Sequence, residues 1–280
     1  MKNGKYYKKN VKLNKFKDNG LIISKFKDKS IIKDLNKIIN KYFKKSENFY
    51  CKMPLKKFRE LAFRCQKEIF KLKIQKRFAE SEEEILKSLL QNDVPLFESL
   101  IFLRIVRPLK NSNEAEAIDW HRETFYSDHK YIRHGINVWF PIKNVNLKNT
   151  LKYIPFSHKV SDNKIKRRKI RMTKDQKLNS VNKKFSASHK MGFVYHPKKI
   201  VSGINLNKAK PMNIPKNNYA LFSTMLIHGN SQNLHSKIRF ALGFGIMPKS
   251  KIKKIKKFDI RRMTNKKNNT LNSYASINQI

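Results

Sequence analysis

Cysteine is nearly absent: Cys51 and Cys65 are the two in 280 residues. Neither belongs to a Cys-x-x-Cys pair or lies near paired histidines, which excludes a disulfide framework and a zinc knuckle. Both fall in a helical pattern and are expected as buried apolar side chains in a reducing compartment. Long apolar runs are missing too. The first thirty residues hold only Leu21-Ile22-Ile23. No stretch approaches the ~18 apolar residues of a membrane span, so no span is expected and the cytoplasm is the expected location. Glycine is scarce, at 8 residues, and acidic side chains number 20 against 64 Lys and Arg.

The resulting formal charge of +44 invites a nucleic-acid reading, because clustered lysines release counterions from a phosphate backbone. The lysines here run through every segment alongside abundant Asn and Ile, as an AT-rich coding bias would produce. Net charge of that origin bears on solubility and nonspecific binding more than on a dedicated ligand. A nucleic-acid-binding or nucleic-acid-modifying protein is therefore the alternative reading, and a small-molecule enzyme the first. Two basic stretches stand out, Lys164 to Arg171 and Lys249 to Lys257, and they read as a long loop and a tail.

A chain of this length can bury one large core, and a β barrel or sandwich of this size in one domain is ordinary. Ile31, Leu35, Ile38, Ile39, Tyr42 and Phe43 recur at helical spacing, as do Leu55, Phe58, Leu61, Ala62, Cys65, Ile69 and Leu72. The spacing predicts amphipathic helices over 31–44 and 55–72. A third helix is expected to start at Ser81, with the Ser81 hydroxyl capping the first turn and Glu84 reaching back, and to end at the Asn92 to Pro95 turn. From residue 100 the period changes. Ile101 to Val106, Ile132 to Ile142, Tyr219 to His228 and Ile238 to Ile246 read as strands. Helices first and strands afterwards give an α+β class, a helical layer on a β core. In the last strand Ile238, Phe240, Leu242, Phe244 and Ile246 form a bulky face, while Arg239 is followed on its own side by Ala241, Gly243 and Gly245. Glycines in a strand mark a close approach, so a hollow is expected beside Arg239.

His121 and Glu123 form a His-x-Glu pair, His228 follows at a distance, and Arg239 comes eleven positions after it. Two imidazoles and a carboxylate on one side of a metal leave positions open for a cosubstrate and O2, as non-haem Fe(II) oxygenases require. A guanidinium keeps its charge and grips a carboxylate through two parallel bonds, so Arg239 suits the far end of a small keto-diacid whose near end chelates the metal. His129, His134, His158, His189, His196 and His235 are expected as structural or solvent-facing, with His134 close enough to the motif to merit a test. Phe125, Tyr126 and Tyr131 follow the pair and either line a substrate pocket or fill core.

Asp119-Trp120-His121-Arg122-Glu123, Ile136-Asn137-Val138-Trp139-Phe140-Pro141-Ile142, Asn149, Tyr153-Ile154-Pro155-Phe156-Ser157-His158-Lys159 and His228-Gly229-Asn230 with Arg239 occur in that order. Together they resemble the phytanoyl-CoA dioxygenase-like Fe(II)/2-oxoglutarate oxygenases, most of all the branch found in bacterial surface-carbohydrate gene clusters. The resemblance implies a double-stranded β-helix, a distorted jelly roll, with N-terminal helices packed on its outer face. It implies His121, Glu123 and His228 as iron ligands, Arg239 on the distal carboxylate of 2-oxoglutarate, Trp139 and Asn230 as further contacts of that cosubstrate, and O2 as the second cosubstrate. Two positions depart from the family pattern. Glu123 stands where an aspartate is usual, and a carboxylate there argues against halogenation; Phe156 stands where relatives commonly have glycine.

The implied organisation is an N-terminal helical segment over 1–99, a catalytic core over 100–247 with a basic insertion around 162–190, and a basic tail over 248–280. The insertion lies between the two halves of the metal motif and is expected as a lid or binding segment whose charge suits an anionic substrate. The implied reaction is hydroxylation of a C–H bond in a small molecule, a carbohydrate or carbohydrate precursor.

Overall fold

The computed structural model describes residues 13–98, 101–108, 119–125, 130–169, 171, 198–229, 232–252 and 274–275. Asn230, Tyr126, His129, His189, His196 and residues 172–197 of the basic insertion lie outside the described residues. The short run Leu21-Ile22-Ile23 forms strand β1 (Leu21–Lys25), which periodicity does not announce because the run is too brief to show one. Five helices follow: α1 (Ser30–Tyr42), α2 (Glu47–Lys52), α3 (Leu55–Phe70), α4 (Ile74–Ser81) and α5 (Glu83–Leu89). Then come β2 (Pro95–Glu98), β3 (Phe102–Val106), β4 (Ile136–Lys143), β5 (Lys152–Tyr153), β6 (Lys166–Lys169), β7 (Lys198–Ser202), β8 (Lys210–Pro211), β9 (Asn218–Ser223), β10 (His228–Gly229), β11 (Arg239–Pro248), α6 (Lys249–Ile252) and β12 (Tyr274–Ala275).

The large sheet runs β1-β9-β4-β11-β2-β12, with β3 also on β11, and every pairing in it is antiparallel. A small sheet, β10-β5-β8, faces it, and β6 and β7 form a separate ribbon. Side chains alternate across a strand, so each strand of the large sheet serves two layers. Leu103, Ile105, Val138, Phe140, Leu221, Phe240, Leu242, Phe244 and Ile246 pack with α1, α3, α4 and α5 in one core. Trp139, Ala220, Phe222 and Ala241 point the other way, into a second cluster with Leu151, Met212 and Leu226. The resulting fold is a jelly roll of antiparallel sheets with helices against one face.

The α1 and α3 helices form where the apolar spacing places them, and both cysteines are buried and unbridged. Helix side chains also close the sheet. Gln66 of α3 accepts from the Leu103 backbone N at 2.9 Å, and Glu47 accepts from Ile238 N at 2.7 Å where β11 begins. An edge strand left with open N–H groups would invite pairing with another chain.

Four expectations need correction. Ser81 ends α4 instead of capping a helix, and Glu82 beside it is buried, accepting from Lys27 N and the Tyr219 hydroxyl, both at 2.8 Å. That core anchor competes with the capping box for the same turn. The strand expected from Ile132 starts only at Ile136, because Lys130–His134 is a 3₁₀ turn closed by Gly135 N on Ile132 O at 3.1 Å. The strand expected over Tyr219 to His228 breaks after Ser223, where Leu226 N turns back onto Ser223 O at 2.9 Å. That turn moves the chain from the large sheet to the small one, and His228 therefore lies on a different sheet from Phe222. The expected loop from Lys164 to Arg171 contains β6, paired antiparallel with β7.

Candidate metal centre

His121 and His228 meet backbone to backbone. Each donates its N–H to the other's carbonyl at 2.9 Å, an isolated antiparallel bridge at the rim of the small sheet. This exchange brings the two rings to 4.3 Å between centroids. Glu123 does not share a strand with His121 as the His-x-Glu alternation suggests. It opens a 3₁₀ turn, Glu123–Phe125, and its N–H is held by Thr224 O at 3.0 Å, in the turn that redirects the chain towards His228. One donor atom from each of His121, Glu123 and His228 lies within 4.8 Å of the others, and His228 Nε2 is 3.7 Å from Glu123 Oε1.

The protonation states follow from the partners. His121 Nδ1 lies 2.6 Å from Asp119 O, and His228 Nδ1 lies 2.9 Å from Leu226 O. A carbonyl oxygen only accepts, so each Nδ1 carries a proton and Nε2 is the ring nitrogen left to face a metal. Burial pushes the His228 pKa down to about 3, with His121 adding to the effect and Glu123 opposing it, so the ring is neutral at ordinary pH. Asn137 Nδ2 donates to Glu123 Oε1 at 3.0 Å and fixes the rotation of the carboxylate. Two imidazole nitrogens and one oriented carboxylate fit a divalent iron, and each is held in place by a neighbouring hydrogen bond.

Arg239 is buried at the start of β11, on the side of the sheet that faces Ala241 and Trp139. Its Nη1 donates to Asn149 O at 2.5 Å. The Asn149 side chain is itself held by Asn144 O, Asn146 N and Asn233 Oδ1, and Asn233 also bonds Val106 O, opposite Arg239. Burial, with a further push from Arg104, lowers Arg239 to about 9, so it remains a cation at neutral pH. Trp139 lies on the same face, and a methyl group on Gly243 would meet its Cδ1 at 3.6 Å and Val138 O at 3.2 Å. The small residue at 243 thus accommodates the Val138 carbonyl of β4, whereas the indole would be in ordinary contact.

His134 and His235 lie outside the metal cluster, and so does His158, whose Nε2 bonds Lys17 O at 3.0 Å. Phe125 packs with Ile154, Ile165 and Ile227, and Tyr131 with Met247 and Ile252, so both fill core. Asn137, Asp119 and Thr224 were not legible as site residues. Asp119 and Asn137 stand in the runs that carry the family resemblance, and Asn137 also shares the inward face of β4 with Trp139.

A family model for phytanoyl-CoA dioxygenase matches residues 32–241. The structure is similar to that of EvdO2 from Micromonospora carbonacea var. aurantiaca, solved in complex with 2-oxoglutarate: identity is 14%, the TM-score 0.55, and the match covers 83% of this chain and 88% of that one. It is also similar to the non-haem α-ketoglutarate-dependent epimerase SnoN from nogalamycin biosynthesis, at 9% identity and a TM-score of 0.50, covering 86% and 83%. At such identities these likenesses show the fold alone. None of the curated proteins compared with it matches the sequence. The family match spans most of the sequence, and the fold agrees with it: the chain belongs to the phytanoyl-CoA dioxygenase family of non-haem Fe(II)- and 2-oxoglutarate-dependent oxygenases.

Proposed function

We propose that this protein hydroxylates a C–H bond of a small anionic substrate, a carbohydrate or carbohydrate precursor, using Fe(II), 2-oxoglutarate and O2. The observation that carries the reading is the convergence of His121, Glu123 and His228 within 4.8 Å, with both Nδ1 atoms already spoken for by backbone carbonyls. In this reading His121 and His228 hold the iron through Nε2 and Glu123 through its carboxylate. The metal, when bound, supplies the redox chemistry that couples oxidation of 2-oxoglutarate to succinate and CO2 with oxidation of the substrate. The remaining tasks fall to the chain. Arg239 pairs with the distal carboxylate of 2-oxoglutarate, and its own position is set by Asn149 and the Asn233 network. Trp139 forms one wall beside the cosubstrate, and Asn230 is its further contact. Asn137 keeps Glu123 in one orientation, and the apolar cluster around Phe222, Leu226 and Ala241 keeps water from the reacting groups.

The test is succinate formation with Fe(II), 2-oxoglutarate and O2, run beside Co(II) titration followed by visible absorption. His121→Ala should lose the Co(II) spectrum and turnover. Arg239→Ala should keep the spectrum and lose 2-oxoglutarate affinity. Wild-type protein that takes up neither metal nor 2-oxoglutarate would overturn the reading.

A further inference from the structure

β3 places a second arginine on the face of the sheet that carries Arg239. Across the β3–β11 pairing Arg239 stands opposite Val106 and Ala241 opposite Arg104. Leu103 and Ile105 belong to the helix-facing core, so Phe102, Arg104 and Val106 project from the other face, the one that carries Arg239, Ala241 and Trp139. Arg104 and Arg239 are therefore diagonal neighbours on one surface, a relationship that puts such residues about 7–8 Å apart. The Phe102 ring lies 5.1 Å from the Arg104 guanidinium carbon and supports it from one side.

Two cations at diagonal positions on an inward face repel each other, and the repulsion grows as water is excluded. The charge of Arg104 is felt at Arg239, where after burial it is the next cause of the lowered pKa. The two arginines differ in exposure. Arg239 is buried, as suits a group that holds a cosubstrate throughout the reaction, whereas Arg104 is half-buried, as suits one that meets a molecule entering and leaving.

We propose that Arg104 binds an oxyanion group, a carboxylate or a phosphate, on the substrate itself, and so selects an anionic substrate and orients it beside the metal while Arg239 holds 2-oxoglutarate. This rests on the oxygenase reading of the site. Arg104 is then a binding residue for the substrate, and a neutral substitution should separate substrate recognition from cosubstrate recognition.

The experiment uses Zn(II)-loaded protein, which is redox-silent, and isothermal titration calorimetry in two stages. The first stage titrates 2-oxoglutarate into wild type, Arg104→Gln, Arg104→Lys and Arg239→Ala. The second titrates glycerate and glycerol 3-phosphate, matched probes for the two oxyanions, into protein saturated with 2-oxoglutarate. Wild type should bind at least one probe, and the stronger of the two identifies the group. Arg104→Gln should weaken that binding by at least about tenfold, as expected for loss of a charge-assisted contact, with 2-oxoglutarate affinity unchanged. Arg104→Lys should retain part of it. The proposal is overturned if wild type binds neither probe, if Arg104→Gln binds them as well as wild type, or if Arg104→Gln instead loses 2-oxoglutarate. Failure of the oxygenase reading appears separately, as wild type that does not bind 2-oxoglutarate in the first stage.

Discussion

Arg122, with no side-chain exposure, holds the Asp162 carboxylate at 3.1 Å and ties the residue between His121 and Glu123 to the segment that leads into β6. The same guanidinium donates to Ser157 O and Val160 O, both at 2.7 Å, and Asp162 also accepts from the Thr124 hydroxyl and from Arg133, both at 3.1 Å. The metal motif is thereby braced against the turn that contains Phe156 and Ser157. Ser157 in turn accepts from Ile227 N at 2.8 Å, next to His228.

Arg122→Ala should therefore destabilise the protein by ~2–4 kcal/mol, because it leaves the Ser157 and Val160 carbonyls without their donor, while Asp162 keeps Thr124 and Arg133. Arg122→Lys should recover only a fraction, since an ammonium cannot span three acceptors in a plane. Asp162→Ala should cost less, as Arg122 keeps its two carbonyl partners. Urea denaturation of the three variants checks the ranking; equal loss in Arg122→Ala and Asp162→Ala would show that the ion pair, and not the carbonyl bonds, dominates.

Phe156→Gly should stabilise the protein. Phe156 has φ 62° and is 55% exposed, so it occupies the left-handed region while burying little. A side chain there costs roughly 1–2 kcal/mol, and the greater freedom of glycine in the unfolded chain takes back part of it. The expected net gain is about 0.5–1 kcal/mol, read as a rise in Tm. Phe156→Ala should give no such gain, since alanine meets the same backbone strain.

Asn137→Ala should weaken metal binding without disturbing the fold. The lost bond to Glu123 Oε1 frees the carboxylate to rotate, and removal of such outer partners commonly costs about 10–100-fold in metal affinity. Competition between the protein and a chelator measures it. If metal affinity stays at the wild-type level, the 3₁₀ turn alone orients Glu123.

How much of this was legible in the sequence varies with the physical range of the signal. The helices that cover the sheet and the bulky face of β11 came directly from periodicity, because their partners are a continuous core and the pattern repeats over many residues. His121, Glu123, His228 and Arg239 came from residue chemistry and order. Their local settings did not. His228 and Phe222 look like members of one strand until the Ser223–Leu226 turn separates them, and Glu123 looks like a strand neighbour of His121 until the 3₁₀ turn lifts it. Both errors turn on a single backbone hydrogen bond: the local one from Leu226 N to Ser223 O, and the one from Glu123 N to Thr224 O, whose partners are distant in sequence. Arg104 was invisible for a related reason: only the register with Ala241 reveals which face it joins.

Metal-free protein should lose stability as pH falls below neutral. Burial lowers the pKa of His158, and His228 is held at about 3, mainly by burial and His121. The unfolded chain, with histidines near their ordinary value of about 6.5, binds protons first. Between that value and the lower folded ones the unfolded state carries more protons, so stability rises with pH there and is lost as pH falls. The window for His228 extends down towards pH 3. Denaturation midpoints measured from pH 7 to 4 should decline less steeply in His158→Gln, and a slope equal to wild type would remove His158 from the account.

The ribbon of β6 and β7 offers a test of what the excess positive charge does. Arg168 stands opposite Lys199 and Lys169 opposite Lys198, so like charges face each other in two successive pairs. Arg167 is a poor target, because its guanidinium lies 4.0 Å from the Phe125 ring beside the metal motif. Lys199 is equally poor, being 3.3 Å from Asp119, whose carbonyl orients His121. Arg168→Ser with Lys169→Ser removes charge without touching the centre. The double variant should gain a few tenths of a kcal/mol at low salt from relieved repulsion. Its affinity for duplex DNA should fall, with a shallower dependence on salt, as two phosphate contacts are lost. For a small-molecule oxygenase whose charge is compositional, 2-oxoglutarate turnover should not respond to DNA in either protein. Turnover that rises on adding DNA to wild type and not to the variant would make the ribbon a nucleic-acid clamp and reverse the assignment of substrate class.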